Sequence, residues 1–267
     1  MVETCLKTSR WLFTLVALAL LTAASGCNDS PVKTDEETYG ISGALVVDPN
    51  LASNPISKSL KVVVRLERGE HIVTTGQVSL AGRTLPFEAC EQCLDSAYWL
   101  MTDSPYVFTD SLLPLEVQDG TELAYATTVN VADSFTITNV VPTNRLIQGN
   151  DQASLEWSTS NRAEVFVIAA VLSDSVYTGY GFSKYADDQT IPPEAFALSG
   201  GVEPDTGLYN LYVYALTGTP DSSLTSGLLP VPLPDQRPDN ISLPELSGKF
   251  GTIVVTLFDT LRVAQQP

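Results

Sequence analysis

The sequence predicts an all-β protein whose two β-sandwich domains follow an N-terminal export signal. Three observations favour this fold class. Strand-like runs recur along the chain and are separated by turns rich in Gly, Pro, Asn and Asp. The clearest runs alternate apolar and polar residues, as a half-buried strand does. No segment of the body has the apolar spacing of a convincing amphipathic helix.

The first 26 residues have the composition of a signal peptide. Lys7 and Arg10 precede an apolar run over residues 11–24. Those fourteen residues are too few for a membrane-spanning helix, which needs about 20, but they suit the apolar core of an export signal. The small residues Ala-Ser-Gly then lead directly to Cys27. We therefore expect residues 1–26 to be removed on export.

The small residues and Cys27 that follow the apolar run resemble the lipobox of bacterial lipoprotein signals. The resemblance implies that the Cys27 sulfur receives a diacylglycerol, that the chain is cut before Cys27, and that the new amino group is acylated. Each buried lipid methylene contributes about 0.8 kcal/mol, so several acyl chains make a stable anchor. The alternative is a plain secretory signal with a chance cysteine at its cleavage point.

Residues 27–38 predict a flexible tether, because they are polar and acidic and contain a proline. By the same resemblance, Asn28 after the lipidated cysteine lacks the usual inner-membrane retention signal, which implies attachment to the outer membrane. The acidic residues 35–37 loosely resemble tether signals that send some lipoproteins to the cell surface. The sequence leaves open whether the body faces the periplasm or the cell exterior.

The net charge of the chain limits the classes of molecule that it can bind. With 14 basic and 31 acidic residues, its formal net charge is −17. Such an acidic surface argues against binding to nucleic acid or to anionic lipid. Calcium binding by loop carboxylates is a further interpretation, but no D-x-D-x-D-G loop is present to place it. We predict no cofactor and no defined metal site.

Residues 39–132 predict the first β-sandwich domain. Leu60, Val62, Val64 and Leu66 alternate with the charged residues Lys61, Arg65 and Glu67, so this strand should bury one face and expose the other. Asp119-Gly120 is a turn signal. The strand after it, residues 123–131, places its apolar residues on one face with Thr127 in register. The pattern restarts after Ala132-Asp133, where we place a domain boundary.

Residues 133–267 predict the second sandwich domain. Val165 to Leu172 is almost entirely apolar and predicts a central strand buried on both faces, although a helix would show the same pattern. Residues 220–244 form a proline-rich insertion that must be loop or extended coil. The final strand, Thr252 to Val263, is expected to place its apolar residues on one face.

Two motifs in the second half resemble a fibronectin type III or related immunoglobulin-like domain. They are Leu155-x-Trp157 and the alternating run that begins at Tyr209. The resemblance implies that Trp157 lies between two sheets and that Tyr209 lies near the corner of the sandwich. In the first half, residues 78–86 resemble a hairpin of the β-sandwich domains that precede such domains in bacterial surface lipoproteins. The expected architecture is therefore two immunoglobulin-like β-sandwiches.

Cys90 and Cys93 form a C-x-x-C motif. In an exported protein we expect them to form a local disulfide that pins a loop. A redox site needs a lowered thiol pKa, whereas the neighbouring Glu88 and Glu91 raise it. A zinc site needs two more ligands, but no second C-x-x-C occurs and His71 is the only histidine. Metal binding and redox activity are the weaker alternatives.

The sequence carries no motif that predicts catalysis. A nucleophile would have to use His71 as its base, and His71 follows Gly69-Glu70 at a predicted hairpin turn where histidine is normally solvated. No G-x-S-x-G, H-E-x-x-H, phosphate-binding or dinucleotide-binding motif is present. Close carboxylate pairs such as Asp187-Asp188 are expected by chance in so acidic a chain. We therefore predict a protein that is not an enzyme.

Aromatic residues give the remaining candidates for a binding site. Tyr98 and Trp99, together with the aromatic cluster of residues 177–185, could stack on sugar rings. The competing interpretation is that they pack cores and sheet edges, where strands favour aromatic residues.

The predicted function is that of a membrane-anchored envelope lipoprotein that serves binding, adhesion or scaffolding. Its expected partners are the membrane, through the lipid, and envelope proteins or glycans. One alternative is a carbohydrate-binding lipoprotein of a nutrient-uptake system. Another is an envelope hydrolase that uses carboxylates and calcium. The binding, adhesion or scaffolding role is preferred to these alternatives only by analogy with proteins of the same fold.

Overall fold

A computed structural model describes residues 38–48, 60–90, 95–102, 110–143, 146–148, 152–158, 160–172, 176–183, 188–191, 196, 205–233 and 237–264. These residues form strands almost throughout, with one single-turn helix, so the predicted all-β class is confirmed. Within them, no helix has the length and apolar character needed to cross a membrane.

Nine strands lie in the N-terminal half and nine in the C-terminal half of the described chain. The first nine are β1 (Tyr39–Val47), β2 (Leu60–Arg68), β3 (His71–Ile72), β4 (Gln77–Leu80), β5 (Arg83–Leu85), β6 (Phe87–Cys90), β7 (Asp95–Thr102), β8 (Leu112–Asp119) and β9 (Leu123–Asn130). The others are β10 (Ile137–Val141), β11 (Leu146–Gln148), β12 (Ala153–Trp157), β13 (Val165–Leu172), β14 (Val176–Ser183), β15 (Asp188–Ile191), β16 (Gly207–Gly218), β17 (Ile241–Ser242) and β18 (Leu246–Ala264). The helix α1 (Ser222–Thr225) lies in the proline-rich insertion.

One long sheet joins the two halves of the chain. Its strands follow the order β14-β13-β16-β18-β1-β2-β7-β6. The 19-residue β18 pairs antiparallel with β16 along one edge and parallel with β1 along the other. A four-stranded sheet, β5-β4-β8-β9, and a three-stranded sheet, β10-β12-β15, complete the described part of the fold. The predicted boundary at residues 132–133 lies between β9 and β10, and the number of domains stays a prediction.

Two hydrophobic cores lie on one face of the long sheet. The first joins the long sheet to the four-stranded sheet through residues such as Leu45, Leu115 and Phe250. The second joins it to the three-stranded sheet, where the rings of Trp157 and Phe166 are 5.1 Å apart. β13 is buried along most of its length between β14 and β16, which confirms the prediction of a central strand.

The proline-rich insertion covers the opposite face of the same sheet. Leu224, Leu228 and Val231 of the insertion pack in a third core with Val63 and Ile253 of the sheet. The expectation that β2 exposes one face is therefore wrong, because Val63 has no exposed surface. The insertion is held by polar contacts as well, since the backbone N–H of Val231 donates to the Tyr214 hydroxyl over 3.1 Å.

A bulge near the C-terminal end of β18 changes which face its side chains occupy. Leu211 of β16 pairs with Phe258, whereas Tyr209 pairs with Leu261, so β18 has one extra residue between these pairs. Ile253 therefore packs against the insertion, but Leu261 packs in the core on the opposite face. The prediction that the apolar residues of this strand share one face is wrong for this reason.

The linker between β9 and β10 is hydrogen-bonded to the shared strand β18. The buried hydroxyl of Thr252 donates to the backbone oxygen of Asn130 over 2.9 Å. Thr256 does the same to the backbone oxygen of Phe135 over 2.8 Å. Both ends of the linker are thus fixed on one strand, which ties together the two smaller sheets on this face.

Tyr209 closes a corner of the second core at the start of β16. Its hydroxyl donates to the backbone oxygens of Phe196, at 2.7 Å, and Asp205, at 3.0 Å. The ring packs edge-on against Phe196 at 5.2 Å. The chain before β16 is therefore held against the sandwich by one side chain that lies four residues downstream of Asp205.

Burial raises the pKa of the tyrosines in these cores. The pKa of Tyr209 rises to about 12 because its ring is desolvated and because Asp205 lies nearby. The pKa of Tyr39 also rises to about 12, because its hydroxyl is buried and donates a hydrogen bond to the Asp119 carboxylate. Burial raises the pKa of Tyr98 and Tyr214 in the same direction.

The protein is therefore expected to lose stability at alkaline pH. Unfolded tyrosines ionise near pH 10, whereas folded Tyr39 and Tyr209 keep their protons to about pH 12. Since the folded state binds more protons in this window, the stabilisation is complete below pH 10 and is lost as the pH rises toward 12. Urea midpoints measured at about pH 8 and about pH 11 test this. Tyr209→Phe should reduce the difference, and an unchanged midpoint in the parent protein would contradict the prediction.

Candidate functional site

A concave site lies beside β9, where the four-stranded sheet meets the long sheet. It is a polar cleft with a volume of about 210 Å³. We call it the β9 cleft. It is lined by Tyr125, Thr127, Thr128, Val129, Asn130, Glu164, Thr217, Gly218, Asn240, Ile241 and Phe250. Residues from both halves of the chain therefore form it.

Strand β9 forms one wall of the cleft, and among the described residues it is an edge strand of the four-stranded sheet. The backbone N–H of Val131 donates to the oxygen of Ser111, which continues the β8–β9 register by one pair. Because hydrogen-bonding direction alternates along a strand, odd-numbered residues of β9 face β8. The backbone groups of Ala124, Ala126 and Thr128 therefore point away from β8, and Thr128 is the one of these three residues that lines the cleft.

The opposite wall of the cleft is fixed by side-chain hydrogen bonds. Arg237 pairs with Glu164 over 3.1 Å and donates to the backbone oxygen of Gly218 over 2.5 Å. The Asn240 amide donates to the Phe250 oxygen and accepts from the Phe250 N–H, over 2.8 and 3.0 Å. This wall is thus preorganised and presents a carboxylate and amide groups.

Acidic groups flank the strand away from the cleft as well. Glu116 of β8 lies directly opposite Ala126 on the exposed face of the sheet and accepts from Ser79 over 3.1 Å. At the other end of β9, the Tyr39 hydroxyl donates to Asp119 over 3.0 Å. Arg68 forms an ion pair with Glu122 in the adjoining turn. Acidic residues outnumber basic ones around this edge.

The structure separates the two aromatic residues that the sequence put forward for ligand stacking. Tyr98 is only 2% exposed, its ring packs on Phe87 at 5.0 Å, and its hydroxyl donates to the Val73 oxygen over 2.9 Å. Tyr98 is therefore a core residue, as expected if the aromatic residues pack cores and do not stack on a ligand. Trp99, the next residue of β7, points to the other face and packs beside the third core with its indole nitrogen buried. Stacking of a ligand on Trp99 stays a prediction.

The other predicted site residues are placed less completely. Cys27 and Cys93 lie outside the described residues, as do the side chains of Cys90 and of the aromatic cluster over residues 177–185. His71 is exposed at the start of β3, directly after the predicted hairpin turn. In the described part of the chain, no group of three or more His, Cys, Asp and Glu residues is placed to hold a metal ion.

Sequence reasoning missed the β9 cleft. The turn at Asp119-Gly120 and the common face of Leu123, Tyr125 and Val129 were predicted correctly. One feature of the sequence could have indicated this site: residues 123–130 contain no charged residue, which is unusual for a strand at a sheet edge. Nothing in the local sequence shows that this strand ends a sheet, because that depends on the strand order of the whole fold.

Comparisons with known proteins do not assign the chain to a family. No protein-family model matches it, and no curated protein matches it. Among solved structures, it is similar to a cytokine receptor complex at 12% identity, over 84% of this chain and 98% of that one, with a TM-score of 0.26. It is also similar to a Ca2+-stabilized adhesin that helps an Antarctic bacterium bind ice, at 13% identity over 86% of this chain, with a TM-score of 0.24. The match spans 49% of the adhesin chain. Neither similarity is close enough to support a functional argument.

Proposed function

We propose that this protein is an envelope lipoprotein whose all-β body binds a partner at the β9 cleft while lipid on Cys27 holds it to the outer membrane. The body serves adhesion or scaffolding and is not an enzyme. The observation that carries the binding role is the cleft itself, where a sheet edge and a preorganised polar wall face the same space.

The lipobox supports the anchoring part of the proposal. The apolar run, the small residues and Cys27 occur in the order that lipoprotein processing requires. A polar tether over residues 28–38 would let the body reach partners away from the bilayer surface. The net charge of −17 favours an anchor of lipid over electrostatic adsorption to anionic membranes.

A fibronectin type III arrangement of the C-terminal half is part of the same proposal. Three features support it. The sheet β10-β12-β15 packs through the second core on β13, β16 and β18, which belong to the C-terminal part of the long sheet. Trp157 is buried between these sheets. The Tyr209 hydroxyl bonds back to Asp205, as in the tyrosine corner of such domains. Sandwiches of this architecture occur in many cell-surface domains, which supports a binding role by fold-level analogy alone.

The anchoring proposal is tested by Cys27→Ser. The full chain is expressed in a diderm bacterium with labelled palmitate and then fractionated. The parent protein should incorporate label and be cut before Cys27, whereas Cys27→Ser should carry no label, because a hydroxyl cannot form the thioether to the lipid.

Cys5→Ser is the matched control, since Cys5 lies inside the segment that we expect to be removed. This variant should be labelled like the parent. A parent protein that carries an unacylated amino terminus by mass spectrometry would overturn the anchoring proposal.

A further inference from the structure

Strand β9 is an edge that lacks the features by which proteins normally block strand addition. All eight of its residues pair with β8 in one register without a bulge. It contains no charged residue and no proline. Such an edge is a template for another strand, and natural proteins usually shorten it, bend it or charge it.

The other described edges show these protective features. At the opposite end of the same sheet, β5 has only three residues, begins at Arg83 and is followed by Pro86. In the three-stranded sheet, β10 carries a register shift after Ile137 and β15 has four residues beginning with Asp188. Among the edge strands whose side chains the structure describes, β9 is therefore the one left long and uncharged.

We infer that the outer edge of β9 binds an extended segment of a partner protein by strand addition, and that this segment carries lysine or arginine side chains. The inference deepens the proposed binding role and rests on it. Main-chain hydrogen bonds to Ala124, Ala126 and Thr128 would give the affinity, as in other cases of strand addition. The β9 cleft would receive the end of the segment near Asn130.

Charge and side-chain size select this occupant. On the exposed face, Ala126 lies between the edge and Glu116, and its small side chain leaves room above the sheet. A strand added to β9 would lie two strand spacings from β8, about 10 Å, which a lysine or arginine can span toward a glutamate. Asp119 adds a second carboxylate at the other end of the strand, whereas Glu122 and Glu164 already pair with Arg68 and Arg237.

A second copy of this chain fits the same edge less well. Two copies would each bring a net charge of −17, and the acidic residues beside one β9 would face those of the other. The carboxylates beside β9 would attract a basic segment, but they would repel the carboxylates of a second copy. Pairing between copies is therefore the rival outcome that the experiment must detect.

The experiment measures binding of a nine-residue capped peptide of alternating valine and lysine to the full chain in detergent by fluorescence anisotropy. A peptide with glutamate in place of lysine is the charge control. We expect the lysine peptide to bind and the glutamate peptide to bind at least about tenfold more weakly. In hydrogen exchange, the lysine peptide should protect the N–H groups of Ala124, Ala126 and Thr128, while Tyr125 and Thr127 are already protected without it.

Ala126→Pro tests the edge directly, because the lost N–H points away from β8 and the sheet keeps its own hydrogen bonds. We expect this variant to weaken binding of the lysine peptide at least about tenfold. Thr84→Val, on the exposed strand β5 at the opposite edge of the same sheet, should leave the affinity within about threefold of the parent's. Circular dichroism and the thermal midpoint check that both variants fold.

Three results would overturn the inference. They are no binding of the lysine peptide, equal binding to Ala126→Pro and the parent, or a dimer in sedimentation that Ala126→Pro abolishes. The assay does not depend on whether Cys27 is acylated, so failure of the anchor and failure of strand addition are separately visible.

Discussion

Gly248→Ala is expected to destabilise the protein by on the order of 4 kcal/mol. Gly248 lies in β18 with a φ of +140°, a conformation that side chains with a Cβ rarely adopt. A Cβ at this position would lie 1.9 Å from the backbone oxygen of Ile41 in β1. Because Gly248 pairs with Ile41 on one side and Ile241 on the other, the backbone has no direction in which to move away. Urea denaturation of the full chain measures the loss.

Gly40→Ala is the matched control for this prediction. Gly40 lies in β1 and pairs with Ser247, the neighbour of Gly248, but a Cβ there would meet only the Glu67 side chain, at an ordinary 3.8 Å. It should cost less than about 1 kcal/mol. Equal urea midpoints for the two variants would show that the β1–β18 contact is not as close as the structure has it.

The loss from Gly248→Ala should appear in both halves of the protein together. Trp99 reports on the N-terminal half and Trp157 on the C-terminal half, and Trp11 is the remaining tryptophan of the chain. Since β18 pairs with strands of both halves, variants with a single reporter tryptophan should unfold at the same urea concentration. Separate transitions would mean that the halves are stable without each other.

Leu224→Asp is expected to detach the insertion from the long sheet, at a cost on the order of 4 kcal/mol. Leu224 is 1% exposed and packs in the third core between the insertion and the sheet. A carboxylate there would lose its hydration without gaining a partner, so the segment would turn outward and uncover Val63 and Ile253. Two signals should follow, an increase in binding of an apolar dye and faster hydrogen exchange at the Val231 N–H.

Ser226→Asp adds the same charge at the end of the same helix, where the side chain is partly exposed. It should leave dye binding and the exchange of Val231 almost unchanged, since a surface substitution typically costs within about 0.5 kcal/mol. Strong dye binding by both variants would instead indicate that added charge, wherever it is placed, disturbs the insertion.

The fold class and the local strands could be predicted because they depend on neighbouring residues. The alternation over residues 60–66, the apolar run of β13 and the positions of Trp157 and Tyr209 carry that information locally. The two wrong predictions share a different cause. Val63 is buried by an insertion about 160 residues away in the sequence, and Leu261 changes face through a bulge that is visible only in the pairing of β18 with β16.

The β9 cleft could not be predicted from the sequence for the same reason, because it depends on contacts between distant parts of the chain. Thr127 and Tyr125 were placed on the correct face from the alternation alone. Their position beside Glu164 and Asn240 follows from strand order, which no window of sequence contains. Tyr98 was put forward as a ligand contact because an aromatic residue on a strand has the same pattern whether its face is covered or open.

The parallel pairing of β18 with β1 has a consequence for biosynthesis. Residues 39–47 are made early, yet the strand that covers their open side spans residues 246–254. A growing chain therefore carries an unsatisfied row of N–H and C=O groups on β1 until about 200 further residues have been added. During that interval the row is free to recruit a strand from another molecule, so holding nascent chains apart is a requirement that this topology places on the cell.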